Sequence, residues 1–340
     1  MTTAKTAAEH VLRQRSRRGL AVAAVLVALI VPGAAWALSL GSSDIALPGV
    51  VTAVVGAGDP GQVFIVQQLR LPRVLTALLV GMALGAAGTL MQGLLRNPLA
   101  SPDVVGVTGG ASLAAVLAIG AAVPPLALPV AAAAGAAAAT ALLYVFGGRS
   151  GAAGGRLVLI GIGVHAVASA GVSLVMARLP SGRLGAAEVW LAGSLHARDW
   201  THASAAGLGL AIALPCAYWL LRRLAVLELG DEIATGAGVH VRHTRSALLG
   251  MSAVLTGIAV AVAGPIAFVA LGAPHIARRL TGPAGALTFT ASALVGGMLV
   301  LTADVLGQRL FAPTTIPAGV VTAALGAPYL LWLLHRTGKR

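Results

Sequence analysis

Residues 70–112 read RLPRVLTALLVGMALGAAGTLMQGLLRNPLASPDVVGVTGGAS, and this stretch decides the fold. Two arginines flank a proline at its start, and residues 74–95 continue as apolar and small side chains. Arg96-Asn97-Pro98 interrupts this run before a second apolar run begins. About 20 apolar residues cross a bilayer as a helix, and a polar turn belongs at the membrane face. The stretch therefore predicts a membrane-spanning helix, a polar turn and the beginning of a second helix.

The composition of the whole chain excludes a water-soluble domain. Of the 340 residues, 58% are hydrophobic and only 10% are charged, and the mean hydropathy is +0.91. Soluble domains carry about 25% charged residues. Spanning segments must be helices or closed barrels, because no water satisfies the backbone in a bilayer. The long apolar runs lack the alternation of barrel strands, so we predict an all-α polytopic membrane protein.

The apolar run at 246–277 lies between two pairs of arginines. If both pairs are cytoplasmic, the run must cross the membrane twice. Two full spans need about 40 residues, which is more than this run provides. We therefore expect Gly264-Pro265 to divide it into one full helix and one short or tilted helix.

Counting every apolar run gives ten transmembrane helices with both termini in the cytoplasm. This layout leaves 17 of the 23 lysines and arginines inside and six outside, as the positive-inside rule requires. It also explains the net charge of +13 without a nucleic-acid partner. The predicted spans are 20–40, 71–95, 104–120, 126–146, 157–176, 203–221, two within 246–277, 286–306 and 316–334, and the outside arginines are Arg70, Arg73, Arg178, Arg183, Arg198 and Arg309.

The termini divide the chain into one transmembrane domain and two tails. Residues 1–18 are predicted to form a basic cytoplasmic tail, residues 19–335 a single transmembrane domain, and residues 336–340 a second cytoplasmic tail. Ala35-Trp36-Ala37 is similar to a signal-peptidase site, so a cleaved signal peptide is the alternative to a retained first span. The single Cys216 rules out an internal disulfide and is expected to be an inert buried thiol.

Small residues recur about one turn apart in several of the predicted spans. Gly81, Gly85 and Gly88 form such a face in the second span. Small residues let helices approach closely inside a membrane, so we expect a tightly packed bundle. Similar faces are predicted at Gly161/Gly163 and Gly319/Gly326.

The motifs from about Ile65 to Leu334 resemble, in order, the iron-siderophore permease family of FecCD type, which includes the cobalamin importer permease. The resemblance implies one ten-helix subunit of a type II ABC importer. It implies a second permease copy, identical or paralogous, two separate ATPase subunits, and a periplasmic or lipid-anchored binding protein. The motifs are Arg70-Leu71-Pro72-Arg73, Met91-Gln92-Gly93, Asn97-Pro98-Leu99-Ala100-Ser101-Pro102, Gly106-Val107, 229–234, 264–268, 274–278, Ala303-Asp304, 319–322 and 326–328.

The resemblance implies a docking face for the binding protein at Arg70 and Arg73. Arginines at these positions in the family meet carboxylates of the binding protein. The alternative is that they are interfacial anchors. The family's third arginine corresponds to Gln308 here, with Arg309 one residue later. A shift of one residue turns a helical side chain by about 100°, so the family's docking role does not transfer directly to Arg309.

The resemblance implies an ATPase-coupling segment at about 226–245, between two basic patches. In the family this segment folds into short coupling helices. Carboxylates favour a helix N-terminus, so Asp231 and Glu232 are expected to start the first helix, and Gly236 and Gly238 to permit a turn to a second. A plain cytoplasmic loop is the alternative. The predicted coupling residues are Leu229, Gly230, Asp231, Glu232, Ala234 and Gly238.

The resemblance assigns Asn97 and Leu99 to the cytoplasmic mouth of the pathway. The glycine-rich loop at 147–155 is the expected opposing lip. A structural turn is the alternative for these residues.

The sequence lacks the residues that other candidate functions would require. A P-loop needs a Gly-Lys-Ser/Thr end, and the only lysines are Lys5 and Lys339, so ATP is expected to be used by a partner chain and the chain itself is not an enzyme. His165 and His275 are isolated and are interpreted as packing residues, so no metal site and no directly bound cofactor are predicted. A proton-coupled secondary transporter is the alternative function, although such proteins place acids at mid-membrane. Asp304 is the one acid close to a span, and it is expected near the outer end with a local partner.

The resemblance favours a ferric siderophore as cargo. Haem and cobalamin are also compatible with it.

Overall fold

The computed structural model describes residues 2–41, 44–148, 154–283, 285–310 and 312–337. These residues form α-helices without a β-strand, together with a π-helical turn at Ile65–Arg70 and a 3₁₀ turn at Pro125–Ala127. The helices are α1 Thr2–Ser39, α2 Leu47–Val54, α3 Pro60–Phe64, α4 Leu71–Leu95, α5 Val107–Gly120, α6 Leu128–Gly148, α7 Gly154–Met176, α8 Ser181–Leu191, α9 Trp200–Glu228, α10 Asp231–Gly236, α11 Val241–Ala263, α12 Val269–Thr281, α13 Ala286–Arg309 and α14 Ala318–Thr337.

Seven of these helices are long and apolar enough to cross a membrane, namely α1, α4, α6, α7, α9, α11 and α13. Helices α5 and α14 are apolar but shorter, and α12 has 13 residues. The prediction of an all-helical membrane protein is confirmed. Helix α4 ends at Leu95 as predicted, because Arg96 adopts a left-handed conformation (φ 48°). At its other end the helical backbone is continuous with α3 and the π-helical turn from Pro60 onwards, so the change at Leu71 is from π- to α-helix and not the beginning of a separate helix.

The predicted break in the run at 246–277 is confirmed. Helix α11 ends at Ala263, and Gly264 has φ 73°, a conformation that favours glycine. A Cβ atom on Gly264 would lie 2.4 Å from the carbonyl oxygen of Trp190. The chain therefore turns here in close contact with the α8–α9 connection and re-enters the bundle as the short helix α12.

Helix α4 is the central helix of the bundle. It packs against α9, α11, α12 and α13, and most of its side chains are buried. Its predicted small-residue face is confirmed, because Cβ atoms on Gly81, Gly85 and Gly88 would lie 2.1, 2.2 and 1.7 Å from carbonyl oxygens of α13 and α12. The backbones of these helices are in direct contact at those points.

Helices α7 and α14 leave apolar faces uncovered. The exposed side chains of α7 include Leu159 and Val167, and those of α14 include Leu325 and Leu331. Gly163 of α7 also has open space where a Cβ atom would stand, so among the described residues it makes no close helix contact. Cys216 of α9 is exposed as well, which makes the expectation of a buried thiol wrong.

Candidate functional site

Arg73 and Asp304 form a bidentate ion pair where α4 begins and α13 ends. We call this end of the bundle the Arg70 end. The Arg73 Nε and Nη2 atoms donate to the two carboxylate oxygens at 2.9 and 2.8 Å, and the side chains are 20% and 4% exposed. Gln308 Nε2 donates to the same carboxylate at 2.9 Å. The prediction of a local partner for Asp304 is confirmed, and that partner is one of the predicted docking arginines.

Arg70 and Arg309 lie together around Asp44, apart from this pair. Arg70 Nη1 donates to the carbonyl oxygen of Leu38 at 2.8 Å. The guanidinium of Arg309 contacts the exposed Asp44 carboxylate, and the charges of Asp44 and Arg309 both act on Arg70. The hydrogen bond from Arg309 lowers the pKa of Asp44. The one-residue shift from Gln308 to Arg309 therefore turns this arginine towards Arg70, while Gln308 contacts Asp304.

The short helix α10 lies at the opposite end of the bundle, which we call the Asp231 end. Asp231 and Glu232 occupy its first turn as predicted. Arg96 Nη2 reaches the Asp231 carboxylate at 3.2 Å, and Arg245 Nη2 reaches its two oxygens at 2.9 and 3.0 Å. Arg96 also donates to the carbonyl oxygen of Leu227. One carboxylate thus joins α10 to the ends of α4 and α9 and to the start of α11.

The surface of α10 combines exposed apolar residues with glycine turns. Leu229 and Ile233 are 65% and 56% exposed, whereas Ala234 is buried. Gly230 and Gly238 have φ 122° and 79°, so the turns on both sides of α10 require glycine. The predicted second short helix is wrong, because Val241–Ala263 is one continuous helix without a proline that would break it.

Asn97 and Leu99 lie in the turn that follows α4. The Asn97 side-chain oxygen accepts a hydrogen bond from the Leu99 N–H at 2.9 Å, and the Asn97 backbone N–H donates to the backbone carbonyl oxygen of Gln92 at 3.1 Å. Asn97 is exposed and Leu99 is half-buried. The two residues therefore build a structural turn at the Asp231 end. In the expected opposing lip at 147–155, residues 149–153 lie outside the described residues.

A polar network that sequence reasoning missed connects α4 with α12. The buried Gln92 donates through Nε2 to the carbonyl oxygen of Leu271 at 3.1 Å and accepts from Arg278. The charges of Arg278 and Arg96 both act on Glu228 at the end of α9. A buried amide in a membrane-spanning helix was the available signal, since such groups must find partners.

A polar cavity lies between α5 and α7. It has a volume of about 380 Å³. Thr108 donates to Asp103, and the Ser169 hydroxyl lies 3.4 Å from His165 Nε2. Gly106 and Gly109 approach His165 closely and leave room for its ring. His165 therefore packs against these glycines, in agreement with its interpretation as a packing residue, and its imidazole also lines the cavity.

His275 of α12 is partly buried, and its Nε2 atom has no hydrogen-bond partner among the described residues. Its ring makes an edge contact with Tyr329, with the centroids 6.0 Å apart. The residue packs as predicted, but without a polar partner. In the described part of the chain, histidines, cysteines and carboxylates do not form a group of three that could hold a metal ion.

Comparison with known proteins places the chain in a family. The model of the FecCD transport family matches residues 22–336. The Probable siderophore transport system permease protein YfhA of Bacillus subtilis (strain 168) is 43% identical over 322 residues, which cover 92% of this chain and 94% of the relative. The Fe(3+)-citrate import system permease protein YfmE of the same organism is 41% identical over 329 residues, covering 96% and 98%.

A solved structure agrees with this assignment. That structure is described as a metal-chelate type ABC transporter in an inward-facing conformation. The superposition has a TM-score of 0.85 and 29% sequence identity, and it covers 93% of this chain and 99% of that chain. The chain belongs to the FecCD transport family.

Proposed function

We propose that the chain is the membrane-spanning permease subunit of an ATP-driven importer that carries a ferric siderophore or a similar iron chelate. The observation that carries the proposal is its identity, above 40% over more than nine-tenths of the chain, to permeases named for siderophores and ferric citrate. The chain has no P-loop lysine, so ATP is hydrolysed by a separate subunit. The chain is a transport subunit and not an enzyme.

The proposed topology has ten spans, and both termini lie in the cytoplasm of a bacterial cell whose inner membrane holds the protein. The spans are the seven long helices together with the shorter α5, α12 and α14. The Asp231 end is then cytoplasmic and the Arg70 end faces outwards, which agrees with the positive-inside rule. Residues 1–18 and 336–340 are cytoplasmic tails around one permease domain at 19–335.

Helix α10 is the proposed contact for the ATPase subunits. The exposed Ile233 of α10 and Leu229 just before it offer an apolar surface, and Asp231 ties α10 to the end of α4 and the start of α11. A movement of α10 would pass through Arg96 and Glu228 to Arg278 of α12 and its partner Gln92 of α4, because these residues act on one another. Closure of two ATPase subunits would thereby move α12 together with α4, whose Gly88 lies against the α12 backbone.

The Arg70 end is the proposed docking face for the binding protein. Arg70, Arg73 and Arg309 all lie there, and each has a partner in the chain itself. Docked carboxylates would share these arginines with Asp44 and Asp304, so steering and orientation are the expected contributions. The uncovered faces of α7 and α14 are the proposed contacts with a second permease subunit, identical or paralogous, and with lipid.

The proposed pathway for the chelate runs beside the α5–α7 cavity. Its hydroxyl and imidazole groups offer hydrogen bonds to a passing chelate. Asn97 and Leu99 lie in the turn next to it along the chain and form the proposed cytoplasmic gate. No metal ligand is needed in this scheme, because the chelate itself holds the iron.

Transport into proteoliposomes tests the proposed function. The permease is reconstituted with its ATPase and binding protein, and uptake of ferric citrate and of a ferric hydroxamate is measured. Uptake that requires both ATP and the binding protein is the expected result. Uptake that persists without the ATPase and follows a proton gradient would instead support a secondary transporter.

A further inference from the structure

Helix α8 and its connection to α9 form a second cavity, open to the outside and lined in part by polar side chains, at the Arg70 end. The Trp200 indole N–H donates to the carbonyl oxygen of Gln67 at 2.9 Å, which holds this connection beside the segment that leads to Arg70. The Ser194 N–H donates to Ala263 at the end of α11 at 2.9 Å. The cavity has a volume of about 410 Å³ and is lined by Gly185, Ala186, Val189, Trp190, Ser194, His196 and Arg198.

Arg198 is the only cation in the lining of this cavity, and its charge is not balanced by an ion pair within the described residues. Its Nη1 atom lies 3.2 Å from His202 Nε2, and its buried Nε atom has no hydrogen-bond partner in the described part of the chain. Arg73 and Arg309 at the same end each have a carboxylate partner. The charge of the neighbouring Asp199 acts on Arg198 without forming an ion pair among the described residues, and an anion bound directly to the partly buried guanidinium would further reduce the cost of its burial.

A fixed arrangement holds Arg198 in place. Asp199 accepts hydrogen bonds from the N–H groups of Thr201 and His202 at the start of α9, and its Oδ1 lies 2.7 Å from His202 Nδ1. The Nδ1 atom then carries the proton, which leaves Nε2 to accept from Arg198. Burial lowers the pKa of Arg198 and the Asp199 charge opposes this, but an arginine stays protonated in proteins. The guanidinium is therefore a preorganised cation.

The remaining lining suits a small oxygen-rich ligand. The exposed His196 imidazole and the Ser194 hydroxyl can donate hydrogen bonds beside Arg198, while Trp190 and Val189 form an apolar wall. The volume lies within the range of small-molecule sites, about 300–1,000 Å³. Leu191 directly follows Trp190 in the chain, and it lines the α5–α7 cavity. Pro265, which lies against Gly193, lines that cavity as well. Consecutive residues of α8, Trp190 and Leu191, therefore line the two cavities.

We propose that the α8–α9 cavity binds a carboxylate group of the incoming ferric chelate, with Arg198 as its principal partner. The inference rests on the proposed function and extends it to a ligand class, the ferric polycarboxylates. Arg198 receives the carboxylate, His196 and Ser194 orient it, and the α5–α7 cavity is lined by Leu191, the residue that follows Trp190. A carboxylate side chain of the binding protein is the competing source of the same group.

Equilibrium binding of radiolabelled ferric citrate tests this inference. The permease–ATPase complex is placed in lipid nanodiscs without the binding protein, and the wild type is compared with Arg198→Gln, Arg198→Lys and His196→Ala. Arg178→Gln, which removes an exposed arginine outside the cavity, is the control. We expect Arg198→Gln to weaken binding by about 10- to 150-fold, the factor of a charge-assisted hydrogen bond. Arg198→Lys keeps the positive charge but loses the planar guanidinium, so its affinity for ferric citrate should lie between those of the wild type and Arg198→Gln.

Further measurements separate the possible failures. His196 is exposed, so His196→Ala is not expected to disturb folding, and a loss of about 2- to 12-fold in its ferric citrate affinity is expected. Wild-type affinity in both variants would overturn the inference. So would a loss confined to the affinity for the ligand-free binding protein, because the cavity would then be part of the docking face. Failure of the proposed function looks different, since the wild type would then show no ATP-driven uptake of either chelate.

Discussion

The ion pair between Arg73 and Asp304 gives the sharpest prediction about the Arg70 end. The pair is bidentate, and its carboxylate is only 4% exposed. Removing one member of a buried pair costs about 3–5 kcal/mol, because the other charge remains buried. Arg73 is 20% exposed, so water screens part of this charge. We therefore expect Asp304→Asn to lower the free energy of unfolding by about 3 kcal/mol, the lower end of that range.

A double-mutant cycle isolates the interaction. Arg73→Gln, Asp304→Asn and the double variant are unfolded in mixed detergent micelles, and the free energies of unfolding are compared. The double variant should be more stable than the sum of the single effects predicts, by about 2 kcal/mol. Additive single effects would refute the reasoning. A parallel cycle on the exposed Arg309–Asp44 pair should give no measurable coupling.

The same pair determines how docking must be tested. An Arg73→Glu variant would set a new carboxylate against Asp304, so lost uptake in that variant would combine misfolding with lost docking. The neutral double variant removes both charges and avoids this. If its stability is near that of the wild type and its affinity for the binding protein falls, Arg73 contributes to docking as well as to structure.

Three further predictions concern other parts of the bundle. Asp231→Asn should reduce ATP-driven uptake and the stimulation of ATP hydrolysis by the binding protein, with the complex still assembled, whereas the neighbouring Glu232→Gln should leave both near the wild-type level. Gly88→Ala places a Cβ atom 1.7 Å from a carbonyl oxygen and should lower the free energy of unfolding by about 1–3 kcal/mol, while Gly250→Ala, which has open space, should not be destabilising. The pKa of Asp199 is lowered mainly by the hydrogen bond with His202, so its contribution to stability is present above pH 3.8 and is lost as the pH falls below that value. The midpoint of thermal unfolding in Asp199→Asn should therefore depend less on pH in that acidic range than the wild-type midpoint.

Local patterns in the sequence were enough to predict most of the helices. The length of the apolar run and the polar turn at Arg96 gave the end of α4, and the shortness of the run at 246–277 required the break at Gly264. These features depend on residues close together in the chain. The same applies to Asp231 and Glu232, whose charges suit a helix start wherever the bundle places them. The helical residues from Pro60 to Arg70 that precede α4 were not predicted.

Contacts between distant segments could not be predicted in the same way. The partners Arg73 and Asp304 are 231 residues apart in sequence, and no local pattern records which arginine meets which carboxylate. His165 was interpreted as a packing residue, and it does pack against Gly106 and Gly109, but the cavity beside its ring depends on residues far apart in the sequence. The second short helix was expected from the glycines after α10, although the apolar run of α11 extends to Val241.

The glycine contacts of α4 have a mechanical consequence. At Gly81 and Gly85 the backbone of α4 lies directly on the backbone of α13, and the Ser292 hydroxyl donates to the Gly85 carbonyl oxygen at 2.8 Å. Side chains can absorb a sliding movement by changing rotamer, but backbone pressed on backbone has no such freedom. Helices α4 and α13 should therefore move as one rigid body. The shape changes of a transport cycle then fall to elements that contact this unit through side chains or not at all, above all α7.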